Sequence, residues 1–159
     1  MLLLRHASAG ERRQAASLDR ARRLDRVGRA DARELPEALA GHVIDRVVSS
    51  PHARCLESVG ALARGRNLRV EVRDELNPDA SVEDVRALLD ELPDTALVCT
   101  HREVIERLFE SEQTCEKAGT WLLERRNGRL EPVAYLPPPS LAVRPSERAP
   151  RPRVAAEPA

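Results

Sequence analysis

Short apolar segments alternate with stretches of helical periodicity along most of this chain, and that alternation is typical of an α/β domain. Strand patterns are predicted at Met1–Arg5, Val43–Ser49, Leu68–Val72, Ala96–Thr100, Thr120–Arg125 and Leu130–Tyr135. Helical patterns are predicted at Arg26–Ala40, Pro51–Ala63, Val82–Leu92 and Glu103–Glu110. We therefore expect an α/β, three-layer fold in which helices flank a mostly parallel central sheet.

Local signals mark where several of these elements turn, begin or break. Asn127-Gly128 separates the last two strand patterns, and this dipeptide is typical of a tight hairpin turn. Ser81 with Asp84 three residues later resembles a capping box and predicts a helix start. Pro36 falls inside the first helical pattern, where it predicts a kink or a break. The fold is thus expected to include a C-terminal hairpin.

The end of the chain differs in composition from the rest. It reads LPPPSLAVRPSERAPRPRVAAEPA from Leu136 onward, and such a segment buries too little surface to offset the entropy of ordering it. A length of 159 residues suits a single domain with its own core. We therefore predict one domain at residues 1–136 and a disordered, proline-rich tail at residues 137–159.

Cysteine usage and hydropathy indicate a reducing, aqueous compartment. Cys55, Cys99 and Cys115 have neither the spacing of a zinc site nor that of a secreted disulfide scaffold. No apolar run reaches the roughly 20 residues that a membrane span requires. Met1–Leu4 is apolar but lacks the basic and longer apolar regions of a signal peptide. The sequence therefore predicts a cytoplasmic protein with no membrane partner.

The distribution of charge argues against binding to a nucleic-acid polymer. The 26 basic residues, nearly all arginine, are balanced by 26 acidic residues, and the two signs are interleaved. A nucleic-acid surface needs a stripe of positive charge, and single strands also need aromatic platforms for stacking. Aromatic residues make up only 2% of this chain, so we expect no nucleic-acid polymer as a partner.

Residues suited to binding a phosphate follow three of the predicted strands. They are Arg5 and His6 at the first strand, Arg54 after the second, and His101 after the fourth. Ligands of open α/β sheets bind outside the carboxyl ends of the strands, so these side chains are expected to converge on one crevice. Ser49-Ser50-Pro51 predicts a serine-capped helix entry, whose free amides could share an anion with Arg54. Because a guanidinium holds two phosphate oxygens at once, the pattern predicts a phosphate site.

Several segments resemble motifs of the histidine phosphatase superfamily, the phosphoglycerate-mutase-like group. They are LLLRHASAG, LDRVGRADA, SSPHARCLESV and VCTHREVI. The resemblance spans about residues 1–110, and Thr120–Tyr135 resembles the closing strands of the family. It is closest to the short SixA-type bacterial phosphohistidine phosphatases. The resemblance implies a phosphoglycerate-mutase-like fold and identifies the predicted domain, residues 1–136, as a histidine phosphatase domain.

The resemblance also implies roles for the residues at the strand ends. His6 would be the nucleophile that becomes a phosphohistidine, while Arg5, Arg54 and His101 would hold the phosphoryl oxygens. A nucleophilic imidazole must be neutral, so its other nitrogen should donate a proton to a fixed acceptor, which we expect to be backbone. Nearby cations favour that neutral form and spread the charge on the transferring group. We expect no metal ion and no cofactor, because the arginines supply the positive charge.

More than one acid is available to protonate the leaving group. The mutase-like branch takes its acid from a glutamate after a further strand, and Glu75 has a comparable position, with Asp74 adjacent to it. Arg102 follows His101, so the aspartate of the acid-phosphatase branch is absent, and Glu103 should begin the next helix. Glu75 is thus the predicted acid; the alternatives are Asp74 and a leaving group that needs none.

Residues near these motifs have ordinary structural interpretations. His52 is two residues before Arg54 and could rim the pocket, but the preferred position faces solvent in the first turn of the second helix. Cys55 is expected to be a buried, inert thiol. Arg12 and Arg13 follow the nucleophile and are expected to be solvated loop residues. Gly28 is expected to permit a close packing contact or a turn.

The short connections predict a shallow, open pocket. Only about 45 residues separate the strands before Arg54 and His101, too few for a large lid. The preferred function is a metal-independent phosphohydrolase that acts on a phosphoprotein, such as a phosphohistidine protein, or on a small phosphomonoester. The alternatives are a nucleotide or polyphosphate hydrolase, related to phosphatase domains that occur joined to Nudix domains, and a non-catalytic phosphoryl-binding module.

Overall fold

The computed structural model describes residues 1–110 and 114–141, in which six strands form one sheet. The strands are β1 (Leu2–Arg5), β2 (Arg46–Ser49), β3 (Val70–Val72), β4 (Ala96–Thr100), β5 (Thr120–Arg126) and β6 (Arg129–Leu136). Their order across the sheet is β3-β2-β4-β1-β5-β6. The first four strands pair in parallel, whereas β5 is antiparallel to β1 and to β6. The predicted, mostly parallel sheet is thus confirmed.

The two central strands are apolar on both faces. Leu2, Leu3 and Leu4 of β1 are almost fully buried, as is every residue of β4. Because successive side chains of a strand point to opposite faces, Leu3 packs in one core layer, with Val48 and Val98. Leu2 and Leu4 pack in a second layer. Two apolar layers around one sheet account for the expected three-layer architecture.

Helices cover this sheet. The described residues form α1 (Ala16–Arg20), α2 (Arg26–Ala38), α3 (Ala53–Gly65), α4 (Val82–Glu91) and α5 (Arg102–Leu108). The helix α1 has no counterpart in the sequence prediction, because five residues are too short to display a period. In the parts of the chain that the structure covers, no helix combines the length and the apolar character needed to cross a membrane.

The local signals were right in two places and wrong in a third. The hydroxyl of Ser81 accepts a hydrogen bond from the backbone N–H of Asp84 at 3.1 Å, which confirms the predicted cap of α4. Asn127 and Gly128 both have positive φ and join β5 to β6, as the hairpin prediction requires. Of the kink or break predicted at Pro36, the break is wrong, since α2 continues to Ala38. In the last turn a proline removes only one hydrogen bond near the helix end.

The chain continues along the domain beyond the predicted boundary at residue 136. Pro139–Leu141 form a single 3₁₀ turn, and Pro139 is buried. The backbone N–H of Ser140 donates to Oδ1 of Asp31, in α2, at 3.0 Å. Packing on α2 thus includes the first residues of the predicted tail. Residues 142–159 of that tail lie outside the described residues.

Candidate active site

The carboxyl ends of β1, β4 and β2 lie side by side in the sheet. His6 directly follows β1, and its backbone N–H donates to the carbonyl of Thr100 at the end of β4. His101 directly follows that strand, and Ser50, after β2, donates its backbone N–H to the carbonyl of Cys99. The parallel pairing therefore brings the residues that leave these strands to one edge of the sheet, as the sequence predicts.

Arg54 lies between the two histidines of this edge. Its Nε donates to Nε2 of His6 at 3.3 Å, and its Nη2 is 3.3 Å from Nδ1 of His101. The imidazole centroids of His6 and His101 are 5.3 Å apart. Arg54 is 3% exposed, His6 7% and His101 0%. A guanidinium and two imidazoles thus form one buried cluster, which we call the phosphoryl cluster together with Arg5.

His6 is held in one neutral tautomer. Its Nδ1 is 2.8 Å from the carbonyl of Ala7, an acceptor, so Nδ1 carries the proton and donates it. Nε2 then keeps its lone pair, which agrees with the hydrogen bond that it accepts from Arg54. Burial lowers the pKa of His6 to about 3, and the cations of Arg54, Arg5 and Arg22 act in the same direction. The ring therefore has the neutral form and the backbone acceptor expected of a nucleophile.

Arg5 extends the positive charge of the phosphoryl cluster. Its Nη1 donates to the carbonyl of Cys115 at 2.7 Å. Its Nε is buried and has no hydrogen-bond partner in residues 1–110 and 114–141. Leaving a buried donor unpaired is costly, and an anion that accepted from this atom would remove the cost. Arg5 thus has one donor committed to the fold and one suited to a phosphoryl oxygen.

Asp19 orients Arg54, a contact that the sequence analysis missed. The carbonyl of Asp19 accepts from Nη1 of Arg54 at 2.7 Å, and its Oδ2 lies 3.2 Å from Nη2 of the same guanidinium. Its Oδ1 accepts from Nε of Arg22 and from the backbone N–H of Arg13. Although burial opposes it, the pKa of Asp19 is lowered by these hydrogen bonds and by the cations. No local pattern marks Asp19, because its partner Arg54 is 35 residues away.

The loop after His6 is fixed by α2. Asp25, the N-cap of α2, accepts from the hydroxyl of Ser8 at 2.6 Å and from the backbone N–H groups of Gly10 and Gly28. A Cβ on Gly28 would lie 2.0 Å from the carbonyl oxygen of Ser8. Only glycine allows this approach, so the predicted close packing at Gly28 is confirmed.

Ser50 and His52 do not have the positions that the sequence suggests. The helix α3 begins at Ala53, and its N-cap, His52, makes no side-chain capping bond, so the predicted serine cap is wrong. The Ser50 hydroxyl instead lies 2.8 Å from Nε2 of His101 and 3.2 Å from Nδ1 of His52. His52 is only 9% exposed, which contradicts the expectation that it faces solvent. Its ring is 4.7 Å from that of His101, edge to face.

The carboxylate of Glu75 pairs with Arg73. Its carboxylate accepts from Nη2 of Arg73 at 2.7 Å and from Nε of the same residue at 3.3 Å. The hydrogen bond from Arg73 lowers the pKa of Glu75, so this carboxylate is ionised near neutral pH. Asp74 is exposed in the same 3₁₀ turn, and Glu103 pairs with Arg12. The structure therefore brings His6, Arg54 and His101 into contact, and the charge of Arg5 acts on the pKa of His6, whereas Glu75 is held by Arg73.

The sequence and the fold both match known proteins. Residues 1–78 match the family model of the histidine phosphatase superfamily (branch 1). The 8-oxo-(d)GTP phosphatase of Mycolicibacterium smegmatis is 29% identical to this chain, in an alignment that covers 87% of this chain. This chain spans 48%, or about half, of the length of that relative.

Solved structures extend the likeness of fold to nearly the whole described chain. The protein histidine phosphatase SixA, solved with tungstate, superposes with a TM-score of 0.68 at 23% identity, covering 89% of this chain and all of that one. A phosphoserine phosphatase of Entamoeba histolytica, solved with 3-phosphoglyceric acid, superposes with a TM-score of 0.67 at 14% identity. This superposition covers 85% of this chain and 95% of the phosphoserine phosphatase chain. The phosphoglycerate-mutase-like α/β fold predicted from the sequence is therefore confirmed.

Proposed function

We propose that this chain, which belongs to the histidine phosphatase superfamily, hydrolyses a phosphoric monoester through a phosphohistidine on His6. The observation that carries the proposal is the neutral Nε2 of His6, 3.3 Å from Nε of Arg54. A phosphate held by this guanidinium would present phosphorus to the lone pair of that nitrogen. The proposal concerns the activity of the described domain, which is about half as long as its curated relative.

In the first step, Nε2 of His6 attacks phosphorus while the bond to the leaving group breaks. Negative charge spreads over the three equatorial oxygens, and Arg5, Arg54 and His101 supply donors to them. Fixed donors in a buried site stabilise this charge far more than water does. In the second step, water attacks the phosphohistidine, the P–N bond breaks, and inorganic phosphate leaves.

We propose that the reaction needs no metal ion, since Arg5 and Arg54 supply the charge that a cation would otherwise bring. The test is hydrolysis of p-nitrophenyl phosphate in EDTA and, separately, in magnesium. Equal rates in the two buffers support the proposal, and a rate restored only by magnesium contradicts it. His6→Ala is the negative control, because it removes the nucleophile and leaves the arginines in place.

The phosphoenzyme can be detected directly. Incubation with a ³²P-labelled substrate followed by rapid denaturation should leave label on the chain that is stable in base and labile in acid, as a phosphohistidine is. The label should be absent from His6→Ala. Tight binding of inorganic phosphate without any label or turnover would indicate a phosphoryl-binding module instead.

The preferred substrate is a phosphorylated protein side chain, such as phosphohistidine, or a small phosphomonoester. The similarity of fold to SixA supports the first. The ionised state of Glu75 also supports it, because an imidazole leaving group makes little demand on a dedicated carboxylic acid. A screen of phosphohistidine proteins against small phosphomonoesters, ranked by kcat/KM, tests this choice.

A nucleotide or polyphosphate is the second candidate substrate, favoured by the name of the mycobacterial relative and by a basic cavity. A cavity of about 670 Å³ lies between α2 and α3, and its lining includes Arg23, Arg29, Arg33 and Arg64. Glu57, which also lines the cavity, follows Arg54 by three residues in α3. Additional phosphates could therefore be held beside the reacting one. A preference for nucleoside triphosphates that is lost in Arg33→Ala and Arg64→Ala would favour this candidate.

A further inference from the structure

We propose that Ser50 and His52 form a proton relay with His101, and that this relay protonates the leaving group in place of a carboxylic acid. The inference rests on the proposed hydrolysis at His6 and concerns the source of one proton in that reaction. His101 would touch the reacting group, whereas Ser50 and His52 would act through it.

The three side chains form a continuous hydrogen-bonded chain. The Ser50 hydroxyl lies between Nε2 of His101, at 2.8 Å, and Nδ1 of His52, at 3.2 Å. The thiol of Cys55 also approaches Nε2 of His101, but at 3.6 Å it is the weaker neighbour. The other nitrogen of His101, Nδ1, faces the phosphoryl cluster, where it accepts a hydrogen bond from Nη2 of Arg54 at 3.3 Å. In the proposed cycle Arg54 gives this N–H to a phosphoryl oxygen, and Nδ1 of His101 then carries the proton while Nε2 accepts from Ser50. One end of the chain therefore meets the reacting group.

The chain can pass a proton because each member both donates and accepts. A hydroxyl has one proton and two lone pairs, and an imidazole can carry its proton on either nitrogen. His101 is fully buried, whereas His52 is 9% exposed. His52 is therefore the member through which protons can exchange with solvent.

The first chemical step is balanced by one transfer along the chain. As Nε2 of His6 forms its bond to phosphorus and the bond to the leaving group breaks, the leaving atom takes the proton from Nδ1 of His101. Nε2 of His101 takes the Ser50 hydroxyl proton, and Ser50 takes the Nδ1 proton of a protonated His52. His52 ends neutral, and the product is the protonated leaving group.

The second step returns the proton. Water attacks the phosphohistidine and gives one proton to Nδ1 of His101, while the P–N bond breaks and its electrons return to Nε2 of His6. The Nε2 proton of His101 passes through Ser50 to Nδ1 of His52, which is protonated again. Phosphate leaves as HPO₄²⁻. The cycle therefore consumes one water molecule and returns Ser50, His52 and His101 to their starting protonation states.

Carboxylates near the site are poorly suited to this task. Glu75 is held by Arg73, and Asp19 by Arg22 and Arg54, and each has a lowered pKa. A carboxylate paired with a guanidinium is a weak proton donor near neutral pH. The relay takes its proton from an imidazolium, which carries no negative charge for a guanidinium to pair with.

The supply of this proton should depend on pH. Burial lowers the pKa of His52, and the cations of Arg54 and Arg20 add to the effect, while the carboxylate of Asp19 and the amide of Asn77 oppose it. The ring of His101 also packs against it. Protonated His52 therefore becomes scarce as pH rises, and rates with poor leaving groups should fall over the same range.

The test compares leaving groups of different basicity. Phenyl phosphate needs a proton on its departing oxygen, whereas 2,4-dinitrophenyl phosphate hardly needs one. We expect His52→Gln and Ser50→Ala to lower kcat/KM for phenyl phosphate by about 10- to 100-fold and to affect dinitrophenyl phosphate much less. Ser50→Thr keeps the hydroxyl and should retain most of the activity. His42→Gln, a histidine of the loop before β2, is the matched control.

The outcomes separate this inference from the proposed function. Equal losses on both substrates, or an unchanged pH profile for phenyl phosphate in His52→Gln, would mean that Ser50 and His52 only support the fold, and the relay would be rejected. No hydrolysis of either ester by the unaltered protein would refute the proposed function itself. Thermal melts of each variant identify a loss that comes from unfolding.

Discussion

The Nε of Arg54 lies 3.3 Å from Nε2 of His6, the nitrogen that keeps its lone pair. Three neighbours hold this arrangement. The carbonyl of Ala7 accepts from the other nitrogen of His6, while Nδ1 of His101 and the carbonyl of Asp19 accept from Nη2 and Nη1 of Arg54. Phosphoryl transfer to nitrogen needs a cation beside a neutral, oriented imidazole. The cation binds the phosphoryl oxygens while the nitrogen lone pair attacks phosphorus.

Arg54→Lys should lower kcat/KM by about 100-fold or more while leaving the fold intact. Lysine keeps the charge but has one ammonium in place of the fork that reaches His6, His101 and Asp19 together. Steady-state kinetics with p-nitrophenyl phosphate, alongside a thermal melt, measures the effect. Arg69→Lys, at an exposed position before β3, is the matched control. An Arg54→Lys variant within a few fold of the parent would contradict the role assigned to the fork.

Asp19→Asn should lower kcat/KM by about 10-fold, because the amide keeps the shape but loses the charge that orients Arg54 and Arg22. The measurement is kcat/KM at several ionic strengths. Salt screens the attraction between a misplaced guanidinium and the phosphate more strongly, so the loss should grow with ionic strength. Asp79→Asn, an exposed loop substitution, should have no effect. Equal activity of the two variants would show that Asp19 only fills space.

Gly28→Ala should destabilise the chain by about 2 kcal/mol or more and should also reduce activity. The added Cβ would lie 2.0 Å from the carbonyl oxygen of Ser8, so either α2 or the loop after the nucleophile must move. Urea unfolding gives the change in the free energy of unfolding. Gly60→Ala is the control, because its Cβ would meet only the flexible end of Arg64, at 3.2 Å, inside α3. That variant should be neutral or slightly stabilised.

Stability should fall as the pH decreases from 6.5 towards 3. Burial lowers the pKa of His6 from 6.5 to about 3, so within this window the unfolded chain binds a proton that the folded chain excludes. Each such group contributes a slope of at most about 1.4 kcal/mol per pH unit, and burial lowers the pKa of His101 in the same direction.

The measurement is the free energy of unfolding in urea at a series of pH values from 7 to 4. His6→Asn removes the titrating ring and should flatten the dependence. A slope unchanged by His6→Asn would contradict the depressed pKa of His6.

The elements that could be predicted from the sequence are those with a local cause. Uninterrupted apolar runs mark β1 and β4, alternation of patterns indicates parallel pairing, and Asn127-Gly128 marks the hairpin. Arg5, His6, Arg54 and His101 could be found because each lies at or just after the end of a strand. Strand ends of a parallel sheet share an edge, so the order of motifs along the chain was enough to unite these residues.

Other contacts depend on distances across the fold. Ser50 precedes a proline at a helix start, which favours a cap, but its hydroxyl is hydrogen-bonded to Nε2 of the nearby His101 instead. The sequence favours a solvent-facing position for His52, but the folded chain buries it against His101, which follows β4 much later in the sequence. Glu75 occupies a suitable position in the sequence, yet Arg73 holds its carboxylate.

The sequence by itself thus determined which strands are central and which side chains leave them, because burial and periodicity are properties of neighbouring residues. The tertiary structure decided how those side chains are oriented and protonated. Asp19 orients Arg54, Ser50 is hydrogen-bonded to His101, and burial lowers the pKa of His6. Hydrogen-bond geometry and desolvation depend on atoms brought together from distant parts of the chain, and they exist only once the chain has folded.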